Sequence, residues 1–188
     1  MKKLAPIVVI SVFIIALNAC RTDKGTGDPV KESKDEAIEQ KDWKTLEKPE
    51  YSIQYPESWT LENSGADGTM FTITSTLVSN KDSITENIDM KIDNLPEEVT
   101  LEEFAQDAIT TIESSIFTIL TKERVKSDKD DYYKLIFSGD KDGVGVKIEQ
   151  HYRVKNNKAY VIGFMSSKVD FDKDKVVAQR ILNTFKLK

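Results

Sequence analysis

Of its 188 residues the chain has one cysteine, Cys20, and one histidine, His151, the two side chains most often recruited for nucleophilic, acid–base or metal chemistry. His151 lies in "VGVKIEQHYRVK", between Glu149 and Arg153. As a general base it needs a neighbouring nucleophile, and no G-x-S-x-G elbow occurs. A zinc site needs three or four His/Cys ligands, which this chain cannot supply. Carboxylates cluster in "SDKDDYY" (127–133) and "GDKDGVG" (139–145), and hard cations favour oxygen. Asp140 and Asp142 before Gly143 copy the opening of an EF-hand loop, but Val144 and His151 occupy its fifth and twelfth positions. Ordinary turn solvation explains these acids better. No Gly-rich phosphate loop is present. The residues therefore indicate no catalytic set, no metal site and no cofactor.

Cys20 has a different use. "MKKLAPIVVISVFIIALNAC" opens with two lysines, runs through an apolar stretch from Ile7 to Leu17 and ends in small residues. That is the layout of a secretory signal over residues 1–19, and its apolar run is too short to span a bilayer. Leu17-Asn18-Ala19-Cys20 resembles the lipobox of bacterial lipoproteins, with Asn18 in place of the usual small or hydroxylic residue. The resemblance implies a mature N-terminus at Cys20 with lipid on both its sulfur and its nitrogen. Each buried methylene contributes roughly 0.8 kcal/mol, so two or more chains hold a protein stably at a membrane. Arg21 follows instead of the aspartate that resembles an inner-membrane retention signal. In a two-membrane host the periplasmic side of the outer membrane is then expected over the inner membrane.

Charge narrows the partners. Formal net charge is −5, and removing the signal leaves 25 basic residues against 32 acidic, a net −7. Lys147, Arg153 and Lys155 form a basic stripe, but Glu149 interrupts it. Nucleic acid is thus an unsuitable partner for so acidic a chain.

The elements that position these residues follow from periodicity. Residues 21–42 hold no aromatic side chain and three aliphatic ones, Val30, Ala37 and Ile38, so a flexible tether spanning about 25 Å is expected. A single domain should fill 43–188. "YSIQY" alternates, placing Tyr51, Ile53 and Tyr55 on a buried face; Pro56 should end that strand and Trp59 should plug the core at the next element. Strands are expected over 69–79 and 87–95. A helix follows, with a Thr100/Glu103 capping box and an apolar stripe of Leu101, Phe104, Ala105, Ala108, Ile109, Ile112 and Ile116. Further strands are expected around 131–138, 144–155 and 158–166. In the second of these, Lys147, Glu149, His151, Arg153 and Lys155 share a face that reads as solvated. "AYVIGFM" (159–165) is apolar on both faces and should be central. A last helix, about 171–184, turns Val177, Ala178, Ile181, Leu182 and Phe185 inward. The class is α+β, an antiparallel sheet flanked by helices.

The order of pieces resembles the PsbP-like superfamily. They are the aromatic-x-Ile-x-Tyr-Pro-x-x-Trp of 51–59, "ENIDMKIDNLPEEVTLEEFAQDAI", "NKAYVIGFMSS" and a closing "ILNTFK", together covering about 48–188. This superfamily includes the PsbP subunit of photosystem II, DcrB-type bacterial lipoproteins and a Ran-binding import factor. The resemblance implies an α/β/α sandwich and work as a binding or assembly factor without shared catalytic residues. The expected protein is a non-enzymatic envelope lipoprotein with a protein partner. A small-ligand or cation-binding envelope protein is the alternative.

Overall fold

The computed structural model describes residues 42–76, 84–126, 130–141 and 143–188. Cys20, the signal and residues 21–41 of the expected tether lie outside them, as do residues 77–79 of the strand expected over 69–79. The elements in order are β1 (Trp43–Glu47), β2 (Tyr51–Pro56), β3 (Thr60–Glu62), β4 (Phe71–Thr74), β5 (Asn87–Asn94) and α1 (Leu101–Glu113). Then come β6 (Thr118–Val125), β7 (Tyr132–Lys141), β8 (Val144–Lys155), β9 (Lys158–Ser167), α2 (Phe171–Leu182) and β10 (Lys186–Leu187). The strands form a seven-stranded sheet, β3-β4-β5-β9-β8-β7-β6, and a small sheet, β1-β2-β10, antiparallel throughout.

Alternation sets which face each strand buries. Tyr51, Ile53 and Tyr55 of β2 are buried while Ser52 and Gln54 are half-exposed, and Pro56 is the last residue of the strand. Trp59 packs half-buried against the same core. β9 does lie centrally, between β5 and β8. Its even-numbered Tyr160, Ile162 and Phe164 join a core with α2 and the small sheet. Its odd-numbered Val161 and Met165 join a second core with α1. Each fully buried large apolar side chain contributes roughly 1.5–3 kcal/mol. The large sheet is thus the middle layer of three.

α1 starts where its capping box says. Thr100 Oγ1 accepts the Glu103 amide at 3.2 Å, and the Glu103 carboxylate accepts the Thr100 amide at 2.9 Å. Those hydrogen bonds hold the Glu103 carboxyl below its usual range. α1 stops at Glu113, so Ile116, expected on its apolar stripe, lies beyond the helix and is 72% exposed. The stripe ends with Ile112 because helical phase ends there. Between β8 and β9, Asn156 and Asn157 take φ of 51° and 56°, the left-handed pair of a two-residue I′ turn.

Three strands were not evident from alternation alone: β3, β6 and β10. β6 is an edge strand whose register slips between Ile119 and Thr121, leaving Leu120 as an extra, 54% exposed residue. The bulge breaks the period-two pattern by which a strand is read. Just before it, Phe117 lays its ring on Gly139 of β7 and meets Phe137 edge-on at 5.5 Å and 81°. A Cβ on residue 139 would stand 2.5 Å from Phe117 Cδ1. Gly139→Ala should therefore displace the ring and lower stability by about 1–3 kcal/mol in urea unfolding; an unchanged midpoint would contradict this contact.

Candidate functional site

β8 is 12 residues long, and its odd-numbered side chains face α2. The middle of this face is buried, contrary to the solvated face expected from its charges. Glu149, His151 and Arg153 are 2%, 4% and 6% exposed. Lys147 is partly covered and Lys155 alone of the five is exposed. The cause lies in the neighbours. His151 stands opposite Ile162 and Lys134, and Glu149 stands opposite Phe164 and Ile136. Whatever covers the apolar row of β9 must also cover the charged row beside it, and α2 does so.

Burying charge costs several kcal/mol per ion unless each finds a partner. Here a chain of contacts provides one for each. His151 Nε2 lies 2.8 Å from Glu149 Oε1, and Gln179 Nε2 of α2 reaches the other carboxylate oxygen at 3.5 Å. Lys134 of β7 adds a favourable charge to Glu149 and pairs with Glu123 at 2.7 Å. The His151 ring lies 4.5 Å from that of Tyr132. Arg153 sits between the Tyr132 and Phe185 rings, at 4.5 and 5.2 Å, and its Nε meets Asp130 at 2.6 Å. Lys147 lies 4.4 Å over Phe171 and 3.6 Å from Asp172.

Protonation follows from this packing. Burial is the largest influence on His151 and lowers its pKa; the Glu149 bond and charge oppose it, and Arg153 and Lys134 reinforce it. Burial would raise the Glu149 carboxyl, but the His151 bond and charge, Gln179 and Lys134 together bring it below the usual range. At neutral pH the pair is accordingly a carboxylate accepting Nε2–H from a neutral imidazole. His151 Nδ1 is then an acceptor, and both it and Arg153 Nη1 are buried without a hydrogen-bond partner. Burial also lowers the Arg153 pKa, opposed by Asp130, and raises that of Tyr152 on the opposite face.

These contacts tie α2 to the sheet. Among the described residues no hydroxyl or thiol bonds His151, and the ring is closed to solvent. Nor do the described residues contain a group of three or more His, Cys, Asp or Glu able to hold a metal ion. Of the acids compared with an EF-hand, Asp140 accepts the Gly143 amide at 2.8 Å, as a turn residue does, and Asp142 lies outside the described residues. Cys20 lies outside them too. No helix among the described residues is long and apolar enough to cross a membrane.

This geometry defines a class: an α+β domain with a two-sided sheet and a buried charge row beneath its C-terminal helix. No family model and no curated protein matches the sequence. Solved structures do match the fold. Cyanobacterial PsbP (CyanoP) from Synechocystis sp. PCC 6803 is 15% identical, with a TM-score of 0.57 over 84% of this chain and 99% of that one. LpqN of Mycobacterium tuberculosis, described as involved in cell envelope biogenesis, is 14% identical, with a TM-score of 0.58 over 78% of this chain and 91% of its own. PA94 of Pseudomonas aeruginosa is 8% identical, with a TM-score of 0.55 over 76% and 94%. The chain has the PsbP-like fold that its short sequence pieces resemble.

The pH dependence of stability follows in sign from His151. Its folded pKa is depressed below 6.5, so the unfolded chain binds the extra proton between the two values. Stability from this residue is full above about pH 6.5 and is lost as pH falls through the folded pKa, at up to about 1.4 kcal/mol per pH unit. Glu149, also depressed, adds acid sensitivity only below the ordinary carboxylate range. His151→Gln keeps a donor for Glu149 and does not titrate. Urea midpoints from pH 7.5 to 5 should fall more steeply for the native protein than for this variant. Parallel curves would show that His151 is not depressed by its burial.

Proposed function

We propose that the protein is a lipid-anchored bacterial envelope lipoprotein whose domain serves as a non-catalytic binding or assembly factor for a protein partner. The observation that carries this reading is the internal use of the chain's one imidazole. His151 is buried and committed to Glu149, which supports reading the domain as a scaffold. The likeness in fold to LpqN, described as involved in envelope biogenesis, supports the compartment. The signal-like start, with its single cysteine at position 20, supports the anchor. In a two-membrane host the anchor is assigned to the outer membrane, on the periplasmic side, because Arg21 follows Cys20.

Large apolar side chains are usually covered, and two exposed ones, Ile116 and Leu120, flank the start of edge strand β6. They give a place to look for a partner. The native protein should incorporate an alkynyl fatty acid and sediment with membranes, and Cys20→Ala should lose both properties. A photocrosslinking residue at Leu120 should capture one discrete protein in intact envelopes, with none captured from exposed Lys173 on α2. A soluble, unlabelled native protein would overturn the anchor; equal, diffuse capture from both positions would overturn the assembly role.

A further inference from the structure

A groove of about 520 Å³ separates the β1–β2 turn from the connection between β3 and β4. That volume is within the range of small-molecule sites. Lys48, Pro49, Glu50 and Tyr51 line one side, and the segment ending in Thr69 and Met70 helps to line the other. Tyr51 is 2% exposed, and its hydroxyl is buried without a hydrogen-bond partner. A buried donor left unsatisfied is unfavourable, which marks this hydroxyl as a point where an acceptor would be gained. Its ring is fixed between Phe71 and Phe185, with centroids at 5.9 and 6.0 Å, so the hydroxyl is held in place.

A second donor belongs to the same hairpin. The Lys48 amide donates to the Tyr51 carbonyl at 2.9 Å, one step beyond the Glu47–Ser52 pair. Residues directly opposite in a hairpin project from the same face, so the Lys48 and Tyr51 side chains share that face. Among the described residues no carboxylate pairs with Lys48, whereas Glu50 is paired with Lys158 and Glu47 with Lys188. The groove therefore carries one uncompensated positive charge and one unspent hydroxyl donor. Met70, 39% exposed, adds a large apolar side chain to the wall.

We propose that this groove binds a small monocarboxylate bearing a short apolar tail. The carboxylate accepts from Lys48 Nζ and Tyr51 Oη, and the tail lies against Pro49 and Met70, the flexible Met70 side chain shifting to open the way to the buried hydroxyl. A monoanion matches the single free ammonium; a phosphate dianion would set a second negative charge beside Glu50. This site goes beyond the assembly role and stands or falls separately from it.

Titration of the full-length, isotope-labelled protein with hexanoate tests it by NMR. Amide shifts should concentrate at Lys48, Glu50, Tyr51 and Asn63 to Met70. Tyr51→Phe, which keeps the ring, and Lys48→Gln should each weaken binding at least about tenfold, as loss of a charge-assisted bond does. Lys173→Gln should leave it unchanged. Hexanol, with the same tail and no charge, and inorganic phosphate should shift these amides little. The proposal fails if hexanoate gives no localised shifts, if either groove variant binds as the native protein does, or if hexanol or phosphate binds as tightly.

Discussion

β9 governs this fold because it is apolar on both faces. A strand of that kind cannot border water on either side, so the chain must supply two covers. α1 covers one face, while α2 and the small sheet cover the other. The neighbours of β9 inherit those covers along with their own side chains. That inheritance fixes the state of β8, whose charged row would be solvated in a sheet with one open face.

The buried row is best understood as a set of local solutions to one constraint. Each charge sits within reach of an opposite charge, an aromatic face or an amide, and the partners come from different elements. Gln179 belongs to α2, Lys134 and Tyr132 to β7, and Phe185 to the segment between α2 and β10. Removing one member would leave another buried and unpaired, which is more costly than never having buried the pair. The row thereby ties the helix to one place on the sheet, where an apolar surface alone would tolerate sliding.

Much of the fold was legible because short-range rules govern it. The capping box at Thr100, the paired asparagines at 156 and 157 and the alternation in β2 each act within a few residues. The errors came where distant parts of the chain decide. Ile116 fits the stripe of α1 by spacing, but the helix stops before reaching it. β6 was obscured by a bulge whose presence depends on pairing with β7. The burial of Glu149, His151 and Arg153 was misread because alternation tells which residues share a face and not what lies over it. The missing signal was in "AYVIGFM": a strand needing two covers implies that the strand paired with it is covered as well. The groove beside Tyr51 had no such signal, since it depends on how the β3–β4 connection is set against a hairpin that belongs to the other sheet.

β10 is only two residues long, yet its place has a kinetic meaning. Lys186 pairs with Ser52, and Thr184 accepts the Gln54 amide at 2.8 Å across 130 positions. The first hairpin of the domain thus keeps an open edge until almost the last residues of this sequence arrive. Few contacts could span a longer loop, and ordering so distant a pair is slow. A chain built this way cannot finish folding from its leading end during synthesis. The small sheet gains its third strand only when residues 184–187 reach the first hairpin.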